Sequence, residues 1–243
     1  MPEQWPFRFS LPPTADGGKP VTAEEAEQIL LKQLETQERK EEDVLWDLAK
    51  LYSLTGRQIL AFDCVQRLVE IAENAEKKAA CHLAMGQLME QMQDFGTAIQ
   101  YYSQALTLEP VNNSTWYLIH NNLGYCLNHF GRHKEAEPYC RRAIEIDPQR
   151  HNAYKNLGVS LEGQGQHAQA AMSYVRAVQA NASDPRALRH LEGLLEKYSE
   201  VRFQVPDLEQ HYRACRMAVD HAIQVRNEML QHHRGRQARD KAS

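Results

Sequence analysis

The sequence has no long apolar run, which excludes a segment that crosses a membrane as a hydrophobic helix. Its longest stretch without Asp, Glu, Lys or Arg extends from Pro110 to Gly131, and the five asparagines in it are too polar for the hydrocarbon core of a bilayer. Residues 1–20 have no basic start and no apolar run of sufficient length, so no signal peptide is expected. These absences predict an intracellular, cytoplasmic protein.

Cysteine, proline and glycine are also scarce. The five cysteines are odd in number and widely spaced, without a C-x-x-C pair, which disfavours both a disulfide scaffold and a zinc knuckle. We expect reduced, buried thiols that pack as small apolar side chains. Ten prolines and twelve glycines among 243 residues suit a chain that is mostly helical.

Strong charge of either sign is missing. The formal net charge is -4, whereas nucleic-acid binding requires clustered Lys and Arg, so we expect no nucleic-acid partner. A basic segment near the C-terminus is the one candidate for nucleic acid or acidic lipid, and its small excess of positive charge makes that interpretation weak.

Motifs of catalytic and metal sites are absent as well. The eleven histidines form no H-E-x-x-H motif and no Cys/His quartet, and Gly131 separates His129 from His133 at a predicted turn. No G-x-S-x-G motif, phosphate loop or dinucleotide fingerprint occurs. The sequence therefore predicts no enzyme activity, no cofactor and no metal.

What the chain does contain is one pattern repeated three times. Each copy has a glycine followed after 12, 16 and 19 residues by Ala, then Tyr or Cys, then Ala. The copies consist of Gly86, Ala98, Tyr102 and Ala105; Gly124, Ala136, Cys140 and Ala143; and Gly158, Ala170, Tyr174 and Ala177. Their glycines are 38 and 34 residues apart, which indicates stacked helix–turn–helix units. The small residues would let helix backbones approach closely, beside a tyrosine that fills the remaining space.

Flanking patterns give the domain boundaries. Thr22 and Glu25 have the spacing of a capping box, residues 44–71 form a degenerate copy of the repeat, and Asp184-Pro185 can begin a further helix. The predicted segments are an extended Pro- and aromatic-rich arm over 1–21, a helix over 22–41, the repeat array over 42–200, a capping helix over 206–232 and a basic disordered tail over 233–243.

These residues resemble the tetratricopeptide repeat family over about residues 42–195. The fullest match runs from Asn122 to Pro148, although Cys140 stands where an aromatic residue is usual and a closing proline is displaced to Pro185. The resemblance implies an all-α, right-handed superhelical solenoid of about four helix–turn–helix repeats with a C-terminal capping helix. It also implies that the first helices of the repeats line a concave groove for an extended peptide or a helix of a partner.

By that resemblance, polar side chains of the first helices are expected to face the groove. They are Asn121, Asn122, Tyr125, Asn128, Asn152, Lys155, Asn156, Glu162, Arg186, Arg189 and His190. Asn122 and Asn156 each precede a Leu-Gly pair, where asparagine either hydrogen-bonds the backbone of a bound peptide or bonds within the solenoid. Both alternatives are open from the sequence.

Positive charge is expected at one end of this groove, where Lys155, Arg186 and Arg189 favour an acidic segment of a partner. A clamp for a terminal carboxylate would be incomplete, because Asn121 and Tyr125 stand where the resemblance requires lysine and asparagine.

The leading hypothesis is a non-catalytic adaptor that binds a protein or peptide. The alternatives are a secretion-type chaperone that holds an unfolded client and a self-assembling scaffold, so a homo-oligomer is possible. Three aromatics in residues 5–9 suit docking in this groove or a neighbour's, against packing on the first helix or partial disorder.

Overall fold

The computed structural model describes residues 21–240, with side chains as far as Gln231, and every regular element in that range is a helix. The helices are α1 (Ala23–Thr36), α2 (Glu41–Leu54), α3 (Gln58–Ile71), α4 (Ala75–Gln91), α5 (Phe95–Thr107), α6 (Asn113–His129), α7 (His133–Ile146), α8 (His151–Gly163), α9 (His167–Ala180), α10 (Arg186–Lys197), α11 (Val201–Gln204) and α12 (Leu208–Asp240). The arm predicted over residues 1–21, including its aromatics, lies outside the described part except for Val21.

The first helix begins as the sequence predicts and ends earlier. Thr22 Oγ1 accepts a hydrogen bond from the backbone N–H of Glu25 at 3.2 Å, and Glu25 Oε2 accepts one from the N–H of Thr22 at 2.8 Å. The capping box is therefore present. The helix expected to reach residue 41 stops at Thr36, because Gln37 adopts the left-handed conformation with φ of 54°.

The C-terminal region also differs from the expected boundaries. Asp184 was predicted as the N-cap of α10 and Pro185 as its first residue, but the N-cap is Pro185 and the helix begins at Arg186; the Asp184 carboxylate still accepts a hydrogen bond from the N–H of Arg186 at 3.0 Å. The last helix continues beyond residue 232 to Asp240, so the tail predicted as disordered is helical that far. Residues 233–240 contain no proline, and three arginines with Gln237 and Ala238 favour helix more than the single Gly235 opposes it.

The chain divides into two compact units, Met1–Cys126 and Leu127–Ser243, with the boundary inside α6. In the first unit α1 to α5 pack in chain order around a core that includes the fully buried Val44, Val65 and Leu88. The order of packing follows the order of the sequence, as expected of stacked helix pairs.

The second unit has a core between α7 and α12. Leu191 and Leu194 of α10 are buried there, as their helical spacing predicts. Leu208, Cys215 and Val219 of α12 cover the apolar side of α9 and α10, so the predicted capping role of this helix fits its packing. All five cysteines are free thiols and four are buried.

The repeated glycines are points of close contact between the two helices of a repeat. A Cβ atom built on Gly86 would lie 2.6 Å from Cδ1 of Tyr102, and one on Gly158 would lie 2.5 Å from Cδ1 of Tyr174. Both tyrosines are fully buried. A Cβ does not fit at either place, which explains why glycine and tyrosine recur at a fixed offset.

We predict that Gly158→Ala destabilises the protein by about 1–3 kcal/mol, because the new methyl group displaces the buried ring of Tyr174. Gly193→Ala in α10 is the matched control, since nothing lies within 4 Å of the position of its Cβ. There alanine should stabilise the helix by about 0.5–1 kcal/mol. Urea denaturation followed by circular dichroism measures both changes, and equal effects of the two substitutions would contradict the packing argument.

Candidate functional site

In the first unit, the asparagines predicted to face a groove bond to their own chain. The side chains of Asn121 and Asn122 are buried, and Nδ2 of Asn121 donates to Oδ1 of Asn122 at 3.0 Å. Nδ2 of Asn122 donates to the hydroxyl of Tyr102 at 3.3 Å. Both ends of the Asn122 carboxamide are thus engaged within the unit, which is the internal alternative left open by the sequence.

Tyr125 is the remaining predicted site residue of the first unit. It is half-buried, and its ring meets that of Phe95 edge to face, with ring centroids 6.0 Å apart. This contact ties one side of the ring to α5.

In the second unit, Asn128 joins α6 to α8. Its Nδ2 donates to the backbone oxygen of Asn156 at 2.9 Å, and its Oδ1 accepts from the hydroxyl of Ser160 at 3.0 Å. The ring nitrogen Nδ1 of His133 lies 3.1 Å from the same oxygen. Asn128 therefore holds helices together and does not present a free carboxamide.

Asn128 and Cys140 together replace a pair found in the other repeats. Four residues after their glycines those repeats have glutamate, and the buried tyrosine hydroxyl donates to it: Tyr102 to Glu90 at 2.8 Å and Tyr174 to Glu162 at 2.7 Å. The middle repeat has neither the aromatic ring nor the carboxylate. The departure at Cys140 is thus matched by a second change, in which Asn128 replaces the glutamate and accepts from the hydroxyl of Ser160 in place of a tyrosine.

Basic side chains gather where α8 and α10 begin. Nη2 of Arg186 donates to Oδ1 of Asn152 at 3.2 Å, which links the two helices. Lys155 is only 8% exposed, one helical turn after Asn152. Arg189 is exposed and forms no ion pair within residues 21–231. Three predicted site residues with positive charge, Lys155, Arg186 and Arg189, are therefore brought into one region.

Asp184 neutralises part of this charge. Its Oδ2 lies 2.5 Å from Nη2 of Arg186 and 2.9 Å from Nε2 of His151. Burial acts to raise the pKa of Asp184, but hydrogen bonds from Arg186 and His151 outweigh it and hold the pKa well below the ordinary value. The sequence marked Asp184 only as a helix cap, and its contact with His151, 33 residues earlier, was not foreseen.

His190 stands at the centre of the basic region. Its ring stacks on that of Tyr174, with ring centroids 5.2 Å apart and an interplanar angle of 13°. Although His190 is exposed overall, desolvation of its ring lowers the pKa of His190. The nearby charge of Lys155, with smaller effects of Arg189 and Arg186, also lowers it, whereas Glu162 raises it. The neutral imidazole is therefore favoured near pH 7.

Asn156 is also almost fully buried, with 3% of its surface exposed. It shares a face of α8 with Asn152 and Lys155, because residues three and four apart lie on one side of a helix. The structure thus places these predicted residues together, although their carboxamides are largely covered.

Within residues 21–240, no group of three or more His, Cys, Asp or Glu side chains is arranged to hold a metal ion. None of the described helices is both long and apolar enough to cross a membrane.

Comparison with known proteins identifies two matching regions. Residues 79–112 and 117–183 each match a family model described as tetratricopeptide repeat. The small glutamine-rich tetratricopeptide repeat-containing protein 2 of Mycosarcoma maydis is 28% identical over 130 residues, which cover 54% of this chain and 34% of that protein. Tetratricopeptide repeat protein 7B of Homo sapiens is 28% identical over 137 residues, which cover 56% of this chain and 15% of that protein. The chain thus spans about a third or less of these relatives.

Solved structures share the fold. MamA from Desulfovibrio magneticus RS-1 superposes with a TM-score of 0.59 at 16% identity, over 76% of this chain and 97% of that chain. YrrB, described as a TPR protein with an unusual peptide-binding site, gives a TM-score of 0.56 at 20% identity, over 80% and 97% of the two chains. At such identities the similarity concerns the fold alone, and it confirms the predicted all-α class of helix–turn–helix repeats.

We predict that His190 makes stability depend on pH. Its pKa is lowered in the folded chain, so the unfolded chain binds the proton more readily and the free energy of unfolding falls as the pH decreases from about 7 to about 5. His190→Gln should reduce this loss, because glutamine does not titrate. His221→Gln, on the exposed side of α12, is the control and should keep the wild-type slope. Urea titrations at several pH values measure the slopes, and indistinguishable slopes for wild type and His190→Gln would refute the assignment.

Proposed function

This chain belongs to the tetratricopeptide repeat family, and we propose that it is a non-catalytic, cytoplasmic adaptor that binds a segment of another protein. The proposed surface of the second unit is formed by the polar faces of α8 and α10. The similarity to YrrB supports this proposal, because that protein has the same fold and a peptide-binding site. The segment bound here is proposed to be acidic, either an extended peptide or a helix.

The observation that carries this proposal is the excess of positive charge around His190. The cations near it are Lys155, Arg186 and Arg189 and the carboxylates are Asp184 and Glu162, which leaves an excess of one positive charge, and Arg189 is the exposed cation among them. A partner carboxylate would therefore meet basic groups whose charge the chain only partly balances. Such complementarity gives specificity and speeds association.

The asparagines have two different roles in this proposal. Asn152 and Asn156 lie beside Lys155 and are only 6% and 3% exposed, so they are assigned to support the proposed surface from below. Asn121, Asn122 and Asn128 are assigned to support the helices, because their hydrogen bonds are made within the chain. Affinity is thus proposed to come from basic side chains and apolar anchors more than from a ladder of asparagines.

Charge reversal at Arg189 tests the adaptor function. We predict that Arg189→Glu lowers recovery of the bound partner about tenfold, equivalent to about 1.4 kcal/mol, because an exposed cation that faces an acidic segment becomes repulsive. The measurement is affinity enrichment from cell extract with quantitative mass spectrometry.

Arg226→Glu is the matched control, since Arg226 is exposed on α12 and the charge change is the same. A partner recovered equally well by wild type and both variants would contradict the proposed surface. Equal loss in both variants would also contradict it, because the effect would then follow net charge and not position.

A self-assembling scaffold is the second candidate, and exposed apolar side chains of the second unit favour it. Phe203 is 90% exposed, and Met217 and Met229 of α12 are 73% and 67% exposed. Scattered apolar residues of this kind are common on monomers, so the adaptor proposal ranks first.

Under the adaptor proposal, we predict that multi-angle light scattering gives the mass of one chain, 27.9 kDa, across a tenfold range of micromolar concentration. A higher mass that returns to one chain in Phe203→Ser or Met217→Ser, but not in the exposed control Arg226→Ser, would favour the scaffold instead.

A further inference from the structure

The second unit has a groove with an apolar floor on the other side of α8. We name it the α7/α9 groove, and its floor consists of Ile144 of α7, Tyr154 and Leu157 of α8, and Met172 of α9. The cavity has a volume of ≈ 340 Å³. This is at the low end of ligand-binding pockets, which hold roughly 300–1,000 Å³, so it suits one large side chain of a peptide.

This groove is separate from the surface proposed above. An α-helix turns by roughly 100° per residue, which places Tyr154 and Leu157 about half a turn away from Asn152, Lys155 and Asn156. The two sets therefore lie on opposite sides of α8. A ligand in the α7/α9 groove does not touch the basic region around His190.

The rim of the α7/α9 groove has an unbalanced positive charge. Arg141 is paired with Glu137 at 2.8 Å, and Glu145 is paired with Arg142 at 2.9 Å. Arg176 of α9 is exposed, and within residues 21–231 it makes no ion pair and no side-chain hydrogen bond. One guanidinium thus remains beside the apolar floor without a carboxylate.

The floor also offers a polar group to a ligand. Tyr154 is half-buried, and its hydroxyl has no hydrogen-bond partner among the described side chains, whereas Ser173 Oγ already donates to the backbone oxygen of Gln169 at 2.9 Å. A tyrosine with a buried ring and an accessible hydroxyl can pack on an apolar side chain and hydrogen-bond a peptide backbone at once.

From these observations we propose that the α7/α9 groove is a second binding site, which takes a large apolar side chain of an acidic peptide and pairs a neighbouring carboxylate with Arg176. Guanidinium and carboxylate groups have matching planar geometry, which favours a bidentate contact. The segment of this chain with three aromatics, residues 5–9, fits less well, because it carries Arg8 and no carboxylate. The proposal goes beyond the adaptor surface and does not depend on it.

The test uses the full chain with ¹³C-methyl-labelled methionine and NMR, so that the methyl group of Met172 reports occupancy of the groove. The probe is acetyl-Glu-Phe-Glu-amide, and acetyl-Lys-Phe-Lys-amide is its charge-reversed control. We expect a saturable shift of the Met172 signal with the acidic peptide and about tenfold weaker binding of the basic one. Met172→Leu assigns the signal by its loss.

Variants separate this site from the first. Arg176→Glu should weaken binding of the acidic peptide about tenfold, while Arg189→Glu and the control Arg226→Glu leave the Met172 titration unchanged. An unshifted Met172 signal in peptide-free Arg176→Glu shows that the groove is intact.

Three results would overturn the proposal. The first is the absence of a saturable shift of the Met172 signal. The second is equal affinity for the two peptides, and the third is an equal loss of affinity for the acidic peptide in Arg176→Glu and Arg189→Glu. A Met172 signal that moves with protein concentration in the absence of peptide would assign the groove to a second copy of this chain. That result would also overturn the proposal that the groove binds a peptide.

Discussion

The contact between a glycine of one helix and a buried tyrosine of the next is the constraint on which each well-formed repeat depends. At Gly86 and Gly158 the helix backbone comes so close to the ring of Tyr102 or Tyr174 that a Cβ atom has no room. The buried ring brings its hydroxyl to a glutamate on the helix that carries the glycine. Apolar packing and one satisfied polar group thus fix how the two helices lie against each other.

In the middle repeat both members of this hydrogen-bonded pair, tyrosine and glutamate, are replaced together. Where Cys140 takes the place of tyrosine, the glutamate is replaced by Asn128, which bonds instead to Ser160 and to the backbone of Asn156. The need for hydrogen-bond partners likewise assigns Asn122 to the hydroxyl of Tyr102, so a residue type associated with ligand binding serves the packing of the helices.

A binding function is then proposed for the charged side chains whose charge is not fully balanced by neighbouring groups. In the second unit these groups are basic: Arg189 near His190 on one side of α8, and Arg176 beside an apolar floor on the other side. A helix that packs against its neighbours along two sides can present a different type of side chain on each of its two remaining sides. The two proposed recognition surfaces would in this way share one short helix.

The helical class, the repeat with its register and the capping box at Thr22 could be predicted from local patterns, because these depend on contacts between residues close in the chain. These patterns missed the left-handed Gln37 that ends α1 and the extension of α12 to Asp240, since helix ends follow from small differences in local free energy. Which polar side chains bond within the chain, and where the guanidinium of Arg176 borders a groove, follow from tertiary contacts. Those outcomes depend on distances between residues 20 or more positions apart, such as Asn122 and Tyr102, which no local pattern encodes.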